Sequence, residues 1–449
     1  MDGLGVPAES DTMADEAMES EVEDEDKSES GSQSRESETL SGPIGAVIKV
    51  LDKLNGKYAF SLNQVFCRSE TDLTIDRLNE KAELVNDLQT SLLPSIRTQL
   101  VALLQSLDLS EYPIHPCPNP ESTAAILSKL DGILHETRSA VEEIALESPL
   151  PSDEHDHHLK DLKIFRLNHL LWKTKAIIQN HLCEILGICG LYIVMWGHED
   201  MDREDSKHQA RLSNWRKDIV EMSVTCKDLI DDLIGWISLS DFAMLQKEWR
   251  VSSKKVDRML VALVEISNET YSRPGTEGTQ TGGEDDRAVN EAHRARAIEL
   301  ARSATPIIKL ARIFYDKLSK PTGKKPFMLN AGICSKGIDA LRDKMRSFDT
   351  QIDHILGLLC VIYQPDGDIE PRIKSLKSVT FQTWACLEKA LLRLAFHLKP
   401  ANSDGRNYDA QNNFKTWFLA LEYQFRLACY NLNQTITSRL GDSDGDESD

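Results

Sequence analysis

Apolar residues recur in this chain at alternating steps of three and four, and that rhythm restricts the available folds more than any other feature. Ile338, Leu341, Met345, Phe348, Ile352, Ile355, Leu359 and Ile362 keep it without a fault. Trp215, Ile219, Met222, Cys226, Leu229, Leu233 and Trp236 keep it too. So do Ala297, Leu300, Ala304, Ile307, Ala311, Phe314 and Leu318, and Phe414, Phe418, Leu421, Phe425, Ala428 and Leu432. At about 100° per residue, such a series lies along one side of an α-helix. A stripe sustained over four or five turns must be hidden against other helices crossing at a shallow angle, as in up-and-down bundles. The expected fold is all-α, with two up-and-down antiparallel helical bundles.

Proline, glycine and short polar clusters punctuate this pattern. They predict nine main helices, over 70–107, 120–147, 156–197, 205–237, 240–270, 287–318, 330–363, 371–398 and 410–439. Thr71 or Asp72 is the expected N-cap of the first, and Pro94 a kink within it. The segment "SRPGTEGTQTGGEDD", dense in Gly, Thr and acids, is the expected linker. The expected organisation is then an acidic tail over 1–42, a short helix or loop over 43–69, and a five-helix bundle over 70–270. A linker over 271–286, a four-helix bundle over 287–440 and a second acidic tail over 441–449 complete it. Only "YAFSLNQVF", 58–66, has strand-like alternation.

The most apolar stretch is "IIQNHLCEILGICGLYIVMWG", Ile177–Gly197. A membrane-spanning helix needs about 20 apolar residues. Glu184 interrupts this one, and the uncharged run from Ile185 to Gly197 is thirteen residues, so no membrane span is expected. Ile164, Leu171, Ile178, Ile185 and Tyr192 lie seven apart, flanked by Leu167, Thr174, His181, Ile188 and Met195. Both rows face a core, while Lys163, Arg166, Lys173 and Asn180 are expected to face water.

The formal charge of −20 is concentrated at the ends. Residues 1–40 hold fourteen acids against Lys27 and Arg35, and "GDSDGDESD" at the C-terminus holds five acids and no base. Such segments bury too little apolar surface to offset the entropy of ordering, so both tails are expected to be disordered. They repel nucleic acid and anionic membrane. Ser20 and Ser443 each have an acid three residues on, the pattern of a phosphorylation or docking segment; plain solubilisation is the alternative. Basic residues elsewhere are interleaved with acids, so no nucleic-acid footprint is expected. The first twenty residues lack a basic segment and an apolar core, so no secretory signal is expected there. The nine cysteines are scattered and contain no C-x-x-C pair, which suits reduced thiols of the cytoplasm or nucleus. The sequons at Asn268 and Asn433 carry no weight there.

Four clusters could carry chemistry. "DEHDHH", Asp153–His158, brings His155, His157 and His158 beside acids. A structural zinc site needs four fixed ligands, however, and Asp153 or Asp156 can instead cap the following helix. His181 and Glu184 flank Cys183 on one helix without a second Glu-x-x-His or an H-E-x-x-H. "TGKK", Thr322–Lys325, lacks the first glycine and final hydroxyl of a phosphate loop. Asp228, Asp231 and Asp232 in "KDLIDDLIGW" evoke the magnesium-binding aspartates of all-helical terpenoid synthases, but with Leu229 facing the core Asp231 points about 200° away, toward solvent. Trp215, Trp236, Trp249, Phe314, Phe348, Trp384 and Trp417 stand at core spacing or line a groove for a partner helix. No catalytic residue, cofactor site or metal site is expected.

The helix order, the acidic break at 272–286, and the stretches "IELARSATPIIKLARIFYDKLS" and "FKTWFLALEYQFRLACYNLNQTI" resemble the cyclin-D-binding protein family, whose bundles look like those of vinculin and α-catenin. The resemblance implies a non-enzymatic regulator of the cytoplasm and nucleus. Together with the stripes, it predicts a protein-interaction or regulatory scaffold that binds partner proteins through bundle faces or acidic tails. A terpenoid-synthase-type enzyme built on Asp228, Asp231 and Asp232 is the alternative.

Overall fold

The computed structural model describes residues 42–59, 73–109, 118–147, 149–197, 206–272, 284–319, 327–330, 332–364, 368–400 and 408–441. The acidic tails, the 273–283 segment, Thr71, Asp72, "TGKK" and residues 60–66 of the strand-like stretch lie outside them. The described chain is two helical bundles.

The first begins with α1 (Pro43–Ala59), a helix where a short helix or loop was expected. Val47, Ile48, Leu51, Leu54 and Tyr58 bury one face of it. The next rod is α2 (Ile75–Asp87), capped by the Thr74 hydroxyl, which accepts from the Arg77 amide at 3.3 Å. It runs through a π-helical turn (Leu88–Leu92) into α3 (Leu93–Ser106), with Pro94 in the first turn after the π segment. Asn119 caps α4 (Pro120–Ala145). After two 3₁₀ turns, α5 (Ile164–Lys175) passes through a second π turn (Ala176–Leu182) into α6 (Cys183–Gly197). Helix α7 (Ser206–Ile237) closes the bundle. Helix α1 packs on α4 and α6, α3 on α4 and α7, and α6 on α7.

The second bundle comprises α8 (Asp241–Ser267), α9 (Glu284–Ser319), α10 (Ser335–Tyr363), α11 (Glu370–His397) and α12 (Tyr408–Gly441). Helix α8 packs on α9 and α10, α9 on α10 and α12, and α11 on α10 and α12. Strands β1 (Phe327–Leu329) and β2 (Leu398–Pro400), absent from the expectation, pair antiparallel with Phe327 opposite Pro400.

Two expectations change. The five-plus-four grouping becomes five rods plus five helices, because α1 joins the first bundle and α8 the second. Packing partners therefore change at the turn 238–240, not at 271–286; Ser240 starts α8 by accepting from the Ala243 amide at 3.2 Å. The second change concerns water-facing residues. Lys163 and Arg166 are 3 % and 5 % exposed, because α10 and the start of α8 cover the beginning of α5.

Every member of the 338–362 stripe and of the 297–318 stripe is buried. Each buried Leu, Ile, Met or Phe among them contributes about 1.5–3 kcal/mol relative to exposure. In α7 the buried line runs through Ile219, Ser223, Cys226, Ile230 and Leu233, so Trp215, Met222 and Leu229 sit at its flank. Ile164–Gly197, taken as one rod, is long and apolar enough to cross a membrane, which the sequence reading denied; half of its most apolar window is buried within the bundle.

Candidate functional site

The sequence-derived clusters come to different places. His155, His157 and His158 are exposed, whereas Asp156 between them is 1 % exposed. Its Oδ2 accepts from the Ile164 amide at 2.9 Å, capping α5, and its Oδ1 accepts from the Ser335 amide at 2.8 Å, capping α10 of the other bundle. The Ser335 hydroxyl also donates to Asp156 and accepts from the Phe165 amide at 2.8 Å. One carboxylate thus satisfies the free amide ends of two helices, whose dipoles favour its charge.

The same junction holds Lys163, which donates to Asp241 at 2.7 Å and to the Ile333 carbonyl at 2.9 Å. Arg166 reaches Asp241 at 3.3 Å and the Ile237 and Leu239 carbonyls at 3.1 and 2.6 Å. Arg342 grips Glu248 through two bonds of 2.9 Å and lies 5.3 Å from the Phe165 ring. Lys336 pairs with Glu154 at 2.6 Å. Burial and the cation of Arg342 hold His169 below the usual histidine range, and its Nδ1 donates to the Phe165 carbonyl at 2.7 Å. Cations and carboxylates here are matched, so the junction is a structural clasp with no free reactive group. The histidine-rich motif marked it, but Lys163 and Arg166 were missed because an amphipathic reading assigns charges to water.

Asp228 and Asp231 lie on the exposed side of α7. Asp231 pairs with Arg97 at 3.2 Å, and Asp232 pairs with Lys247 and, at 4.0 Å, with Lys173. Cations occupy two of the three carboxylates that a magnesium reading needs, and no group of three or more His, Cys, Asp or Glu able to hold a metal occurs among the described residues. Cys183 and Glu184 border a shallow depression of about 650 Å³ with Asn55, Gln179 and Asn180. Burial pushes the Cys183 thiol up to about 11, and those of Cys189, Cys226 and Cys429 up to about 12, so none is a thiolate nucleophile near neutral pH.

The remaining feature is on the outside of the second bundle. Helix α12 has a second apolar line, Leu419, Tyr423, Leu427 and Tyr430, at steps of four, four and three. It lies roughly opposite the buried line of Phe418, Leu421, Phe425 and Leu432, given about 100° per residue. Leu419 is 65 % exposed and Tyr423 54 %. Neighbouring α11 does the same with Phe381, Leu392 and Phe396, the last 69 % exposed. Phe381 packs edge-on against Trp384 at 5.7 Å. Seven large apolar side chains thus face outward on two adjacent antiparallel helices, where isolated ones are ordinary and a row is not.

Two family models match the chain. Residues 81–238 match a domain of unknown function, DUF8723, and residues 240–434 match a second, DUF8721. The two matches meet at 238/240, where the packing passes from one bundle to the other. No curated protein and no solved structure matches.

Proposed function

We propose that this chain is a non-enzymatic protein-interaction or regulatory scaffold of the cytoplasm or nucleus, binding partner helices on the outer face of α11 and α12. The observation that carries this reading is the pair of outward apolar lines, Leu419–Tyr423–Leu427–Tyr430 and Phe381–Leu392–Phe396. A two-helix surface with rows of aliphatic and aromatic side chains suits an amphipathic helix laid along it. Paired carboxylates on α7 and protonated buried thiols agree with a binding role. The resemblance to cyclin-D-binding proteins points the same way.

The test is affinity purification with mass spectrometry on the full chain, comparing wild type with Leu419→Asp/Tyr423→Asp and with Leu392→Asp/Phe396→Asp. All four positions are exposed, so circular dichroism and the denaturation midpoint are expected to stay close to wild type. The expected result is a protein set retained by wild type and lost by both variants. An unchanged set on correctly folded variants overturns the proposal.

A further inference from the structure

We infer that the partner taken by the α11–α12 face is an acidic amphipathic helix. This rests on the interaction reading above and adds the chemistry of the occupant. Helix α11 has five basic and two acidic residues, and Arg296 engages one of the acids, Glu370, at 3.1 Å. Lys374, Lys377, Lys389 and Arg393 are exposed and have no ion-pair partner among the described residues. At about 100° per residue, Lys374, Phe381, Ala385, Leu392 and Phe396 share one outward line, with Lys377, Lys389 and Arg393 beside it. On α12, Arg426 lies beside the corresponding line, 5.8 Å from the Tyr423 ring.

The strip carries one carboxylate, Glu388, against Lys374, Lys377, Lys389 and Arg393, so its charge is net positive and complementary to a helix with an apolar seam edged by carboxylates. Charge decides among the occupants. A second copy would bring these cations against one another, which opposes self-association. A lipid surface would need an apolar strip unbroken enough to insert, whereas Ser378, Gln382 and Glu388 interrupt this one. A carboxylate-edged helix meets both demands of the surface: apolar contact along the line and charge at its edges.

Three probes test this on the full chain by fluorescence anisotropy and flotation. The first is an 18-residue helical peptide with leucines at helical spacing and glutamate at the flanking positions. The second has the same leucines with lysine at the flanks, and the third is vesicles of one part phosphatidylserine to three parts phosphatidylcholine. The glutamate peptide is expected to bind at least tenfold more tightly than the lysine peptide. Its binding is expected to weaken at least tenfold in Lys377→Glu/Lys389→Glu/Arg393→Glu, and to weaken as salt rises. Equal binding of both peptides, or no binding of either, overturns the inference. So does flotation of the chain with the vesicles, or a dimer that dissociates on Phe396→Asp. If cellular partners are lost with Leu392→Asp/Phe396→Asp but retained by the charge-reversal variant, the acidic chemistry fails and the interaction reading stands. If both variants keep them, the interaction reading itself fails.

Discussion

Asp156 and Ser335, 179 residues apart in sequence, form the pivot between the two bundles: the serine amide and hydroxyl both donate to the carboxylate. Because Asp156 also caps α5, the start of one bundle's central rod and the start of a helix in the other share one buried anion.

Replacing Asp156 with Ala strands the Ile164 and Ser335 amides together. The expected loss is about 3 kcal/mol, from two helix caps and the desolvation of their donors. Ser335→Ala removes one hydroxyl relay and is expected to lose about 1 kcal/mol. The double variant should lose less than the sum, since the two residues share a bond. Urea denaturation of the four proteins gives the cycle; strict additivity would show that the pivot contributes nothing of its own.

Lys163 and Arg166 converge on Asp241 in a nearly dry setting. Lys163→Met leaves the Ile333 carbonyl without its donor and Asp241 with Arg166 alone, and a loss of about 2 kcal/mol is expected. Adding Asp241→Leu does not restore stability, because Arg166 is then left without its buried counter-charge. A double variant as stable as wild type would contradict this picture.

The junction should weaken in mild acid. His169 has a folded pKa below that of the free side chain, chiefly through burial. Its contribution is therefore complete above about 6.5, the unperturbed histidine value, and is lost as pH falls through the lower, folded value. His293 and His397 shift in the same direction, also by burial first. The urea midpoint should fall between pH 7.5 and 5.5, and by less in His169→Gln. An identical fall in that variant would remove His169 from the explanation.

Thiol chemistry should sort the cysteines by burial. Cys334, Cys360 and Cys386 are partly accessible, whereas Cys183, Cys189, Cys226 and Cys429 are buried. Brief iodoacetamide treatment of native protein, read by mass spectrometry, should label the first three ahead of the four. Addition of urea should equalise them. Rapid native labelling of Cys189 would show that the first bundle opens far more readily than its packing implies.

Most of the fold was legible because burial writes itself into periodicity: the 338–362 and 297–318 stripes predicted their helices and their buried faces together. The grouping of helices was less legible. Composition singled out a Gly-rich segment as the break, yet α8 precedes that segment and packs beyond it. Which helix packs on which depends on matching surfaces, and a single stripe looks alike whatever its partner. Charge misled at Lys163 and Arg166, because burial there depends on counter-charges far along the chain. At the candidate site, the sequence exposed the α12 stripe that became core but not the second line behind it. Leu419, Tyr423, Leu427 and Tyr430 follow the same steps as the core residues, so spacing alone cannot tell which line is covered.

Each π turn places one surplus residue in an otherwise regular rod: the Cys183 amide reaches back to the Ile178 carbonyl, and the Leu93 amide to that of Leu88, five positions rather than four. The portions on either side are consequently shifted by one position in sequence, while their buried faces stay aligned in space through Thr174, Ile178, Leu182 and Leu186. Removing a single residue from Ala176–Leu182 would close the wide turn into uniform α-helix and leave Cys183–Gly197 near its present azimuth, whereas removing one from the middle of Cys183–Gly197 would turn the remainder by about 100°. In that second case the greasy side of the remainder would rotate toward solvent while the rest of the rod stayed docked. The wide turn thus uncouples sequence length from azimuth, and a one-residue deletion there should be tolerated better than one within the regular portions.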